Sequence, residues 1–249
     1  MRFYLTALAA SAAIAASPAA AGTLNLQSGP GGTTGSTTAP GDYYFGDGTV
    51  NLRVSAWSID TTGTIREASI GRWDYGLGVE HSGDSNHTVD NNGWKDFIVL
   101  QFSNSVELVN GTFYSDWDGL WDTDATIGYG SAFPTYTTAP GLAGTAQSGL
   151  NSLFTLYGSY DGTGNASGSP DSNTRDINPN NKFAKTWLIG AAFDPNFYDG
   201  NKDGFKLKTL TYNVTPAIPE PSTWALFILG FGAMGAAMRK RKQAKISFA

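Results

Sequence analysis

Residues 95–114 read KDFIVLQFSNSVELVNGTFY. The run from Phe97 to Phe102 is compact and apolar, and two shorter ones succeed it, Val106-Glu107-Leu108-Val109 and Thr112-Phe113-Tyr114. They are rich in β-branched and aromatic residues and have no 3.6-residue period, so they read as strands. Upstream, Val50, Leu52, Val54 and Ala56 alternate with polar partners; downstream, apolar runs recur at 125–129, 153–157, 187–193 and 205–214. Turn-forming clusters punctuate them: Asp47-Gly48, Asn91-Asn92-Gly93, Asn110-Gly111 and Asp161-Gly162. No stretch of 42–214 sustains a helical apolar period, and no repeat of fixed length occurs. The pattern predicts an all-β body at 42–215, a single β-sandwich of jelly-roll type. The polar stretch 158–181 reads as a long surface loop, and 22–41, rich in Gly, Thr and Ser, as a flexible lead-in.

The chain has 249 residues, no cysteine and two histidines, His81 and His87. The absence of cysteine excludes a disulfide framework, a thiolate metal centre and a Cys nucleophile. Charge is unevenly distributed. Ten Lys/Arg face twenty Asp/Glu between residues 22 and 218, whereas the last 31 residues carry Glu220 against five basic side chains. An acidic body argues against a nucleic-acid partner, which requires a basic face.

Both ends read as addresses. Met1-Arg2, an apolar run and the small residues Ala19-Ala20-Ala21 describe a secretory signal peptide over 1–21, cut between Ala21 and Gly22. At the other end, Pro219-Glu220-Pro221-Ser222-Thr223-Trp224-Ala225 leads into an apolar segment closed by Arg239-Lys240-Arg241-Lys242. As a helix, 224–238 spans about 22 Å, short of the roughly 30 Å hydrocarbon core of a bilayer. A short membrane helix is expected, its basic end in the cytoplasm and the body outside.

Pro219, Glu220, Pro221, Trp224, Ala225 and the cluster Arg239, Lys240, Arg241, Lys242 together resemble the PEP-CTERM sorting signal of the PEPxxWA variety, here spanning 216–249. That resemblance implies processing by an exosortase, a membrane-embedded transpeptidase-like enzyme. It implies transient residence in the inner membrane of a Gram-negative bacterium, then the cell surface or extracellular matrix, among exopolysaccharide. Gly76-Leu77-Gly78-Val79, followed by His87, Asp90, Asn91, Gly93, Asp96 and the strand at 97–102, is similar to a block in exosortase-dependent surface proteins. No catalytic residue comes with it.

Cation chemistry is offered at two places. Asp199-Gly200-Asn201-Lys202-Asp203-Gly204 matches the opening of an EF-hand loop, but its twelfth position is Leu210 rather than glutamate, and residues 205–214 read as strand. Asp90 and Asp96 flank a second turn. Calcium is therefore expected, if at all, at Asp90, Asp96, Asp199, Asn201 and Asp203, in competition with simple Asx turns; no cofactor is required. Asp116, Asp118, Asp122 and Asp124 form a third acidic segment around Trp117 and Trp121, the two tryptophans best placed to stack on sugar rings. No nucleophile elbow, zinc-protease helix or phosphate loop is present, and the body has only three glutamates. The expected role is structural or adhesive, not enzymatic. A calcium-dependent carbohydrate-binding module is the second reading and a polysaccharide-acting enzyme the third.

Overall fold

The computed structural model of the chain describes residues 20–27, 41–84, 86–115, 122–133, 135–160, 172–194, 196, 202–215 and 221–241, with side chains of the last segment at 225–239. The body, Ala19–Thr215, is one compact unit, and the tail belongs to another. The strands in chain order are β1 (Ala21–Asn25), β2 (Asp42–Gly46), β3 (Asn51–Ile59), β4 (Ile65–Glu67), β5 (Ser69–Trp73), β6 (Gly76–Glu80), β7 (Val89–Asp90), β8 (Lys95–Ser115), β9 (Ala125–Gly130), β10 (Thr155–Ser159), β11 (Ser172–Asp176), β12 (Ala184–Ala191) and β13 (Gly204–Val214). Among the described residues, helix is confined to a short turn α1 (Leu150–Leu153), a 3₁₀ turn before it, and the tail helix α2 (Pro221–Arg241).

The body is all-β, as expected, but its thirteen strands form one continuous hydrogen-bonded sheet instead of two separate ones. The continuity comes from β8, which is 21 residues long. Its first half lies between β3 and β12, with Ala56 opposite Ile98 and Leu188 opposite Val99. Its second half lies between β13 and β11, with Leu207 opposite Phe113 and Thr174 opposite Thr112.

The two halves differ in burial for a physical reason. Ile98, Leu100 and Phe102 point into the main core, beside Val54, Trp187, Ile189, Phe205, Leu207 and Leu210. Phe97 and Val99, on the opposite face, pack into a second cluster with Trp57, Ile59, Ile65, Leu142, Leu150, Phe154, Leu188 and Phe193. Covered on both faces, that half reads as an unbroken apolar run. Along the second half, coverage is shallower on one face and alternation returns: Val106 and Leu108 are buried, Glu107 and Val109 half-buried. Alternation then slips by one residue, so that Gly111 and Phe113 are the next buried pair. The slip coincides with the register shift opposite Thr211/Tyr212, a β-bulge.

Several expectations are corrected here. Asn110-Gly111 is no turn; it lies within β8. Part of the lead-in is ordered: β1 pairs with β13, Leu24 opposite Leu210, and the chain here buries Leu24 and Leu26. The segment 158–181 is not wholly loop, since β11 pairs with β8. Arg175 supplies what its apolar-poor sequence lacks, lying 4.0 Å over the Phe113 ring and donating to the Ser159 hydroxyl at 3.0 Å.

Candidate functional site

In the tail, helix α2 begins at Pro221, a residue suited to the first helical position because its missing N–H would be unpaired there anyway. The motif is therefore helical from Pro221 onward. At 1.5 Å per residue the helix is about 31 Å long. From Ala225 to Arg239 every described side chain is exposed, Leu226, Ile228 and Leu229 at about 70 %. Apolar side chains thus occur all round the helix, with Arg239, Lys240 and Arg241 in its last turn, where cations suit the negative end of the macrodipole. Among the described residues no helix is long and apolar enough to cross a membrane. The expected membrane helix is a helix, but its apolar part is too short for a span. Ala225 and Arg239 stand exposed; Pro221, Trp224, Lys240 and Arg241 lie in the helix; Pro219, Glu220 and Lys242 fall outside the described residues.

In the body, the acidic residues regroup across the chain. Asp122 forms an isolated parallel bridge with Asp203, and the Gly204 N–H donates to the Asp122 carbonyl at 2.9 Å. This brings Asp122, Asp124 and Asp203, all buried, together with one carboxylate oxygen from each within 4.8 Å of the others. Asn91 is wedged beside them. Its side-chain amide donates to Asp203 Oδ2 at 2.5 Å, and its carbonyl accepts the Asp203 N–H at 2.9 Å. So the third acidic segment and the EF-hand-like loop, separate in sequence, meet in space. That loop runs directly into strand β13 with Leu210 buried, which excludes an EF-hand helix.

The other expected ligands part company. Asp90 is occupied as a turn residue, accepting from the Thr88 hydroxyl at 2.8 Å and the Asn92 N–H at 2.9 Å. Asp96 instead belongs to a second cluster with His81 and Asp84. Burial pushes its carboxyl well above the ordinary carboxylate range, the Asp90 and Asp84 charges push it further, and the Ser58 hydroxyl and Asp90 amide only partly oppose this. Of the residues expected at the two calcium candidates, Asp96 thus clusters with His81 and Asp84, and Asp203 with Asp122 and Asp124. Asp199, Asn201, Trp117 and Trp121 fall outside the described residues, as does Asp116. His81 and Asp84 were missed in the sequence; their H-x-x-D spacing was the available signal. Of the remaining tryptophans, Trp57 and Trp187 are buried core residues.

Residues 217–242 match the PEP-CTERM protein-sorting motif. No curated protein and no solved structure matches the chain. The motif covers the tail and says nothing of the body's chemistry. It implies exosortase-dependent sorting, with exosortase as the processing partner, and it indicates export and a surface or extracellular location in a Gram-negative bacterium. The block that includes Gly76, Gly78 and His87 has a physical reason in the fold. A Cβ at Gly78 would run into the His87 carbonyl, and one at Gly76, where φ is +128°, into the Leu207 carbonyl.

Proposed function

We propose that this chain is a non-catalytic surface protein, cut by exosortase near Pro219–Pro221, whose β body acts structurally or adhesively in an exopolysaccharide-rich matrix. The observation that carries the reading is the sorting motif at 217–242, directly after a body that ends with strand β13. In this reading the body closes in the manner of a sandwich around one main core, and the apolar all-round tail is a transient handle for the membrane enzyme. Intact-mass spectrometry of surface material tests it. The expected species lacks residues near 1–21 and ends close to Pro219–Pro221; a surface species still ending at Ala249 overturns processing.

A calcium-dependent sugar-binding role is favoured by a separate observation, the three buried carboxylates Asp122, Asp124 and Asp203. Carboxylates that close repel unless a proton or a hard cation intervenes, and oxygen-only donors suit calcium. Calcium titration of the full chain that is silent, or that leaves glycan binding unaltered, removes this second reading.

A further inference from the structure

We propose that His81, Asp84 and Asp96 bind a divalent transition-metal ion of the zinc type. One ligand atom from each lies within 4.8 Å of the others. The site is built by the turn after β6, which carries His81 and Asp84, and by the start of β8, which carries Asp96.

Each of the three residues has one unpaired nitrogen or oxygen. His81 Nε2, Asp84 Oδ2 and Asp96 Oδ2 are shielded from solvent and make no hydrogen bond. Asp96 is completely buried. The other acceptor atom of each carboxylate is spoken for: Asp84 Oδ1 takes the Asn86 N–H at 3.0 Å, and Asp96 Oδ1 takes the Ser58 hydroxyl. An orphaned buried acceptor costs about 1–3 kcal/mol, so three in one place call for a common partner.

The chemistry of that partner follows from the imidazole. His81 Nδ1 lies 3.2 Å from the Ser82 carbonyl, an acceptor only, so Nδ1 carries the proton and Nε2 presents its lone pair. Metal-binding histidines are oriented in this way by a backbone carbonyl behind the ring. The ring is further held flat against Trp94, centroids 4.5 Å apart and planes 13° from parallel. Held by an imidazole nitrogen and two deprotonated carboxylates, a divalent ion would have its charge neutralised. Calcium and magnesium take oxygen ligands; a nitrogen among the donors selects a zinc-like ion. Tetrahedral zinc at about 2.0–2.1 Å sets ligand atoms roughly 3.4 Å apart, a short inward movement of side chains from the spacing seen. Three protein ligands would leave the fourth position to water.

The test uses the full chain, purified in detergent without a polyhistidine tag and stripped with chelator, then dialysed against zinc with calcium in excess. One zinc per chain is expected, with a higher melting temperature. His81→Ala should weaken zinc binding by roughly 100-fold or more, while His87→Ala retains it. Asp96→Asn should also lose zinc yet keep the fold of the metal-free parent, because the amide is isosteric and its Oδ1 still accepts the Ser58 hydroxyl. Cobalt substituted for zinc should give a visible d–d spectrum that His81→Ala abolishes. Sub-stoichiometric zinc in the parent, equal zinc in His81→Ala, or displacement of zinc by calcium each overturns the proposal.

Discussion

The body and the tail are built from the same kinds of apolar residue and treat them in opposite ways. Trp187, Phe97, Phe113 and Phe205 in the body are fully buried, whereas Leu226, Ile228 and Leu229 in the tail face outward. In the body, a two-residue period lets neighbouring strands cover each other's apolar faces. In the tail, a helix apolar on every side has no face of its own to hide. The difference teaches that the body carries its own solvent-excluding partner while the tail requires one from outside. That division accords with a sorting motif confined to the tail, residues 217–242.

The sharpest way to break the comparison is to damage the body without touching the tail. Gly78→Ala sets a methyl group against the backbone at His87–Thr88 and must pry β6 from that strap. A loss of about 3 kcal/mol is expected in denaturant unfolding, with tail processing unchanged in the molecules that fold. A smaller effect is expected at Asp47. Burial pushes its carboxyl up, but the Tyr212 hydroxyl and the Thr49 and Val50 amides outweigh this and hold it below the ordinary range. A lowered carboxyl contributes stability above the unfolded value of about 3.9 and loses it as pH falls through the folded value. Asp47→Ala should thus cost about 1 kcal/mol at pH 7, a small figure because the residue is exposed, with the gap closing below about pH 4. A pH-independent gap would assign the loss to packing instead. The smallest effect on the body belongs to Ile228→Lys. Its melting should match the parent within about 0.3 kcal/mol, while the charge, costing about 3 kcal/mol at a membrane-helix centre, depletes the protein from the surface fraction.

The sequence made the strands of the doubly covered wing plain, because an unbroken run such as Phe97–Phe102 admits few other readings. It made β8 look like three strands, since Ser103-Asn104-Ser105 and Asn110-Gly111 carry turn residues; the register shift that accommodates the second is a pairing property, invisible locally. β11 escaped notice because SNTRD has no apolar residue, and its packing depends on the guanidinium of Arg175 over Phe113. The tail motif was fully legible, being contiguous. The acidic clusters were not, because Asp122 and Asp203 are 81 positions apart and only the bridge between them makes them neighbours.

Strand β1, whose first residue precedes the expected cut between Ala21 and Gly22, is zipped to β13 by pairs that lie beyond that cut, Leu24 opposite Leu210 and Asn25 opposite Thr209. These two strands are the first and the last of the body in chain order. β1 therefore gains this neighbour only when the last strand of the body is in place. A chain cut short before residue 204 would leave β1 without the strand it pairs with.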